Sequence, residues 1–324
     1  DNGGAIDWSG TGGVIDGCSF ENNFGLDGAA VYLHSRETVV RSSNFTNNQA
    51  SNRGGAIFID GKDVLLEKCS FENCTSSEGG AIYINSNNEF VNDCRFMNCS
   101  ALKAGGAICL IGENNNVTEC YFNNDSAIRG GAIYLSGDKC RINNSRFNEN
   151  FALAYGGAVF TSDNMELAID NCDYVNNSAY YGGSVYMENG GVVNNSGFGE
   201  NFAFSYGGSI YAKGMTCIEN SSFNENFANF AGAIMFEDYA EIIESMRALQ
   251  VARARAVPHH HGLLVLRELQ QPARQLLRLP LSVMKRPLIT TLARGFQHIF
   301  DENSISPCLV RKIENGNIVY EWNE

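Results

Sequence analysis

A two-part motif at a step of about 25 residues, alternating inward and outward columns within it, and a glycine pair in nearly every copy predict an all-β chain. The predicted architecture is a right-handed parallel β-helix solenoid of about ten coils over residues 1–245. An irregular or helical C-terminal segment is expected to follow it.

The first half of the motif is Gly-Gly-Ala-Ile with a following aromatic. It begins at Gly3, Gly28, Gly54, Gly79, Gly105, Gly130, Gly156, Gly182 and Gly207, and in degraded form at Ala231. Its fourth position is Ile or Val (Ile57, Ile82, Ile108, Ile133) and its sixth is usually apolar (Ile59, Ile84, Leu110, Leu135). That alternation reads as a short strand, entered through a bend that needs glycine. The second half is aromatic-x-x-Asn on the same beat. Its aromatics are Phe20, Phe45, Phe71, Phe96, Phe122, Phe147, Tyr174, Phe198 and Phe223. Five residues before each sits an aliphatic (Ile15, Val40, Leu66, Val91 and onward), and two before sits Cys or Ser. This reads as a second strand region whose columns form structural ladders.

A 25-residue unit with two or three short strands cannot bury its apolar face alone, but stacked copies can. Successive strands then pair in parallel about 4.8 Å apart. The right hand follows the preference of parallel β crossovers. A leucine-rich repeat is disfavoured by the missing Leu-x-x-Leu-x-Leu frame, and a propeller blade needs about 40 residues or more.

Composition divides the chain at Ser245. Up to there it carries 12 basic and 30 acidic side chains; residues 246–300 carry 9 basic and one acidic, and residues 301–324 two basic and five acidic. All five prolines and four of five histidines lie beyond the break, including His259-His260-His261. The domains expected are therefore 1–245 as repeats, 246–300 as a basic Arg/Leu/Pro-rich segment, and 301–324 as an acidic tail. A shifted reading frame accounts for 246–300. The alternative is a basic amphipathic helix through Leu263, Leu264 and Leu266, interrupted by Pro258 and Pro272. The net charge of −13 disfavours nucleic acid as a partner of the whole chain. No run of 18 or more apolar residues offers a membrane span. The chain opens inside a repeat at Asp1, without the basic start and apolar run of a signal peptide, and reads as a fragment.

The paired motifs resemble the repeats of the chlamydial polymorphic outer membrane proteins and of adhesin-like surface proteins from some methanogens and gut bacteria. The Asn of the second motif is kept at Asn23, Asn48, Asn150, Asn177, Asn201 and Asn226, and replaced by Cys74, Cys99 and Asp125. The resemblance implies a secreted passenger that works as an adhesin, extracellular or on the cell surface. Its partner would be a protein or glycan of a host or neighbouring cell. The chlamydial members end in a membrane-inserting barrel, and nothing in 246–324 shows the ~10-residue alternating strands of one.

The candidate binding surface is the aromatic column after Gly-Gly-Ala-Ile: Tyr32, Phe58, Tyr83, Tyr134, Phe160, Tyr186 and Tyr211. Alternation turns it away from the aliphatic core, where an exposed stripe would bind sugar rings or a partner strand. The competing reading is a stabilising ladder covered by a neighbouring segment. Cys69-x4-Cys74 and Cys94-x4-Cys99 mimic a four-Cys zinc site, but the pairs belong to different columns, too far apart for one ion. Buried free thiols are expected instead, with no metal or cofactor. Nine Asn-x-Ser/Thr sequons, among them Asn44, Asn73, Asn98, Asn124 and Asn220, read as turn residues.

Many β-helices cleave acidic polysaccharides, so a catalytic column was sought at the seventh motif position: Ser9, His34, Asp60, Asn85, Ile111, Ser136, Ser162, Glu188, Lys213, Glu237. Asp60 has no carboxylate beside it in that column, and glycoside cleavage needs a carboxyl pair. A non-catalytic adhesin is therefore the expected function. A polysaccharide lyase or hydrolase and a purely structural stalk are the alternatives.

Overall fold

A computed structural model describes residues 2–162, 166–238 and 240–243, together with strands at Leu264–Arg267, Cys308–Glu314 and Asn317–Trp322. Residues 2–243 form a right-handed parallel β-solenoid of about nine turns, each close to 25 residues. Four parallel sheets run along it. The glycine sheet holds ten strands, Ile6–Trp8 to Ile234–Phe236. The aliphatic sheet begins at Val14–Asp16. The phenylalanine sheet runs from Ser19–Glu21 to Ser222–Asn224, and the alanine sheet from Phe24–Asp27 to Phe227–Phe230, with nine strands each. Register keeps like residues together: Leu66 on Val91, Phe71 on Phe96, Ile82 on Ile108.

The predicted ladders form the core. Rings from Phe20 to Phe223 stack with centroids 4.7–4.9 Å apart and planes within 2–8° of parallel. Around them the chain turns at residues in the left-handed region, which Gly and Asn enter at least cost. Between the aliphatic and phenylalanine sheets these corners include Gly17 and Asn144; between the phenylalanine and alanine sheets they include Asn47, Asn73, Asn98 and Asn124. The sequons at Asn73, Asn98 and Asn124 thus fall on exposed turns, and Asn124 Nδ2 donates to Asn98 Oδ1 at 2.8 Å.

The glycine pair makes the sharpest corner. Gly105 has φ +62°, and a Cβ on Gly106 would lie 1.9 Å from the Gly131 carbonyl oxygen of the next coil. Backbone occupies the space, so no rotamer change relieves the clash.

Just inside the second corner runs a buried asparagine ladder. Asn177 Oδ1 accepts from the Asn150 backbone N–H at 3.0 Å, and Asn150 Nδ2 donates to the Phe122 carbonyl at 3.3 Å. Asn177, Asn201 and Asn226 repeat the pattern on Phe147, Tyr174 and Phe198. Asp125 interrupts it. Its Oδ1 accepts from the Cys99 N–H at 2.8 Å, but its buried Oδ2 has no partner where an asparagine would carry a donor. Burial holds this carboxyl well above the usual carboxylate range.

The expected irregular or helical C-terminal segment is corrected where it is described: it is strand. Leu264–Arg267 pairs in parallel with Ala240–Ile243, and Asn317–Trp322 pairs antiparallel with both Leu264–Arg267 and Cys308–Glu314. The open edge of the aliphatic sheet supplies backbone partners to the Leu-Val-Leu run, which a helix could not use. The remaining residues of 246–300, and with them the frame-shift and His259–His261 readings, lie outside the described residues.

Two outcomes are expected. Gly106→Ala costs on the order of 3 kcal/mol or more, seen as a lowered Tm in thermal unfolding; an unchanged Tm shows that the corner can relax. Asp125→Asn stabilises the protein in a pH-dependent way. The folded-state pKa is raised, so the native aspartate's contribution is lost as pH climbs above about 4, and the advantage of Asn grows by about 1.4 kcal/mol per pH unit until the folded carboxyl ionises. Unfolding titrations of both chains from pH 4 to 8 measure it; a constant difference contradicts a neutral Asp125.

Candidate binding surface

The structure places the predicted stripe on the outer side of the glycine sheet, as alternation requires, but not in solvent. Tyr32, Phe58, Tyr83, Phe160, Tyr186 and Tyr211 are buried, and Tyr134 is half-buried. This corrects the exposed-stripe expectation. The cover comes from long side chains that end several alanine-sheet strands, one residue before the glycine pair: Arg53, Arg129, Tyr155, Tyr181 and Tyr206. The tight corner folds those side chains back over the glycine sheet. Arg53, held to Asp27 at 3.1 Å, lies 4.8 Å from the Phe58 ring and 5.2 Å from that of Tyr83. Arg129 lies over Tyr134 and Phe160. In later coils Tyr155, Tyr181 and Tyr206 take this role, and Tyr181 meets Tyr211 edge-on at 5.6 Å and 66°. Burial pushes the Tyr186 hydroxyl up to about 12. The stripe is a second, smaller core.

The exposed apolar surface is elsewhere, on the alanine sheet. That sheet turns small residues inward (Ala50, Ser76, Ala101, Ala127, Ala152, Ala179, Ala203, Ala228), so their neighbours face out. In its first five strands the outward positions are mixed, Phe24 and Leu26 being exposed on the first and polar residues prevailing on the next two, and all five strands carry charge at or next to their ends: Asp27, Arg53, Glu78, Lys103, Arg129. Its last four strands read Phe-Ala-Leu-Ala-Tyr, Ser-Ala-Tyr-Tyr, Phe-Ala-Phe-Ser-Tyr and Phe-Ala-Asn-Phe, without one charge. Leu102 and Ile128 lead into a strip continued by Phe151, Leu153, Tyr180, Phe202, Phe204 and Phe227, each 40–74% exposed. Phe202 and Phe227 stack along the axis at 5.8 Å and 6°, and Tyr180 meets Phe204 at 5.2 Å. In these two pairs one face of each ring turns to its neighbour. Sequence reading passed over this strip because it followed the aromatic nearest the glycine pair. The signal was the alanine column, which fixes which neighbours point out.

A polar cluster joins the first three coils. His34 Nδ1 lies 3.0 Å from Asp60 Oδ1 and its Nε2 3.6 Å from Asp7 Oδ1, while the Tyr32 hydroxyl donates to Asp60 Oδ2 at 3.1 Å. Asp60 is therefore not alone, as the column reading had it. Asp7 occupies the aromatic column of its own coil, two residues before the position that was searched. The imidazole is sandwiched between two carboxylates, an arrangement that holds three coils together and leaves His34 partly in solvent.

The cysteines of the two ladders follow the column reading, whereas Cys18, in the first of these columns, is exposed. Cys69, Cys94 and Cys120 share one buried ladder, and Cys74 and Cys99 another. Their thiols donate to backbone carbonyls, as Cys120 Sγ does to Val91 at 3.5 Å. Burial pushes the Cys172 thiol up to about 12 and that of Cys140 to about 11, which keeps them protonated and unreactive.

Residues 4–150 match the family model for a right-handed β-helix region. The match ends where the uncharged strands of the alanine sheet begin. No curated protein and no solved structure matches the chain. Among the described residues no helix is long and apolar enough to cross a membrane.

Tyr83→Ser is expected to lower stability by about 2–4 kcal/mol, because it empties a packed site between Phe58 and Arg53. Denaturant unfolding measures this; a fully stable variant shows that the ring is not part of a core.

Proposed function

We propose that this chain is the β-helical part of a non-catalytic surface protein, an adhesin or passenger, that docks a partner along the alanine sheet. The observation that carries the reading is the uncharged strip over the last four strands of that sheet, in a region where acidic residues outnumber basic by 30 to 12. Exposed apolar area of this extent marks interaction sites on soluble proteins. The resemblance of the repeats to surface-displayed adhesins supports an extracellular or cell-surface location and a partner on a host or neighbouring cell. Protein suits the strip better than glycan. Sugars stack on free ring faces, and in the Phe202–Phe227 and Tyr180–Phe204 pairs one face of each ring is taken by its neighbour.

The alternative, depolymerisation of a polysaccharide, would draw on His34, Asp7 and Asp60. One experiment separates the readings. The purified chain and the triple variant Phe202→Ser, Phe204→Ser, Phe227→Ser are compared for retention on cells and for release of reducing ends or unsaturated sugars from acidic polysaccharides. Retention should fall at least tenfold in the variant, as loss of several aromatic anchors implies, with unchanged circular dichroism and no sugar release from either chain. Equal retention refutes docking through the strip. Sugar release abolished by His34→Ala establishes the enzyme instead.

A further inference from the structure

We propose that the partner at this strip is a second copy of the same chain, docked strip to strip, so that adhesion between neighbouring cells is homophilic. The inference rests on the reading of the strip as a docking surface and names its occupant.

The area fits. Eight side chains at 40–74% exposure, each offering about 150–250 Å² when fully bare, expose on the order of 800 Å². That reaches or exceeds the largest patch of a typical monomer, about 300–600 Å². It equals one partner's share of a standard stable interface, about 800 Å².

The shape fits as well. The strip is one sheet face whose rungs repeat at the inter-strand spacing of about 4.8 Å. Its apolar side chains stand on rungs of that period, with Ser178 and Asn229 leaving gaps among the rings. A second copy presents the same rows at the same spacing, so the two interdigitate along their whole length. A globular surface matches such a comb at one or two rungs only. A two-fold axis through the strip brings the face onto itself, as an isologous interface requires. Two such sheets would pack about 10 Å apart, as in a β-sandwich.

Charge decides where the copies meet. Over most of their surface two such acidic bodies repel one another. The last four strands of the alanine sheet bring no charge to the contact, and only Lys103 and Arg129 lie beside it, at its Leu102–Ile128 end. Added salt should therefore tighten the dimer, by screening the repulsion between the bodies. An interface built on ion pairs would loosen instead.

The test is sedimentation velocity on the full chain from 1 to 200 µM, at 0.05 and 0.5 M NaCl. The wild type should pass from monomer to dimer in the micromolar range, more readily at high salt. The triple variant Phe202→Ser, Phe204→Ser, Phe227→Ser should shift the midpoint at least tenfold upward. Leu153→Lys, at a residue 63% exposed, should do the same without touching either core, and so guards against a variant that merely misfolds. A wild type monomeric throughout overturns the proposal, as does a dimer that both variants form equally well. If the wild type is monomeric yet strip-dependent retention on cells persists, docking stands and self-docking falls. If both are missing, both fall.

Discussion

Each side chain in this solenoid stacks on its own equivalent one coil away, and this constraint governs what every column holds. In-register parallel pairing brings equivalents to about 4.8 Å. Phenylalanine on phenylalanine gains offset contact at every step. Asparagine on asparagine satisfies a donor and an acceptor at once. Like charges in the same position repel, and in several columns opposite charges follow one another instead, although Arg36 on Lys62 and Glu200 beside Glu225 are exceptions. Arg41 reaches Asp16, Arg53 reaches Asp27, Lys103 reaches Glu78 and Lys213 reaches Glu188, each one coil apart. Such half-exposed pairs are worth little individually, about 0–1 kcal/mol.

The same constraint makes exceptions costly, and the exceptions are informative. Asp125 stands in a ladder whose other polar members present an amide donor where it presents an oxygen. A neutral carboxyl is the form the site tolerates, which is why burial and the missing partner act in one direction. Cys74 and Cys99 occupy the two places before it, where a small thiol fills the column and donates weakly to the carbonyls of Phe45 and Phe71. The solenoid accepts a local loss of hydrogen bonding there because the flanking ring stack from Phe45 to Phe122 is uninterrupted.

Periodicity made the fold legible and the site only partly so. The ladders from Phe20 to Phe223 and the separate cysteine columns were readable because inward columns repeat one residue type. The fate of Tyr83 and its equivalents was not, because alternation says which face a side chain leaves from but not what lies beyond it. That depended on corners such as Gly54 and Gly55, which fold the preceding Arg53 over the sheet. Asp7 was missed at His34 for a related reason: adjacent coils can meet across columns when a long side chain leans. Leu264 and Leu266 looked helical by composition, yet an open sheet edge decided their state.

Axial stacking and lateral docking are one property seen in two directions. A coil joins the next because its edges present what the neighbouring edge presents, at a fixed spacing. Once residue types are kept in columns, each flank of the rod also becomes a grating of that period. A flank with alternating charges meets a copy of itself with charges in and out of phase, and water competes well for every group. A flank of uncharged aromatic rings has no such penalty in any phase and gains contact when its rows interlock. In the middle strands of the alanine sheet, outward Gln49, Ser51, Thr75, Ser77, Ser100 and Ser126 keep the flank largely polar. Tyr155, Tyr181, Tyr206 and Phe230 occupy the strand ends of the last four. The tyrosines cover the glycine sheet, while Phe151, Leu153, Tyr180, Phe202, Phe204 and Phe227 at the outward positions of the same strands make the flank suited to contact.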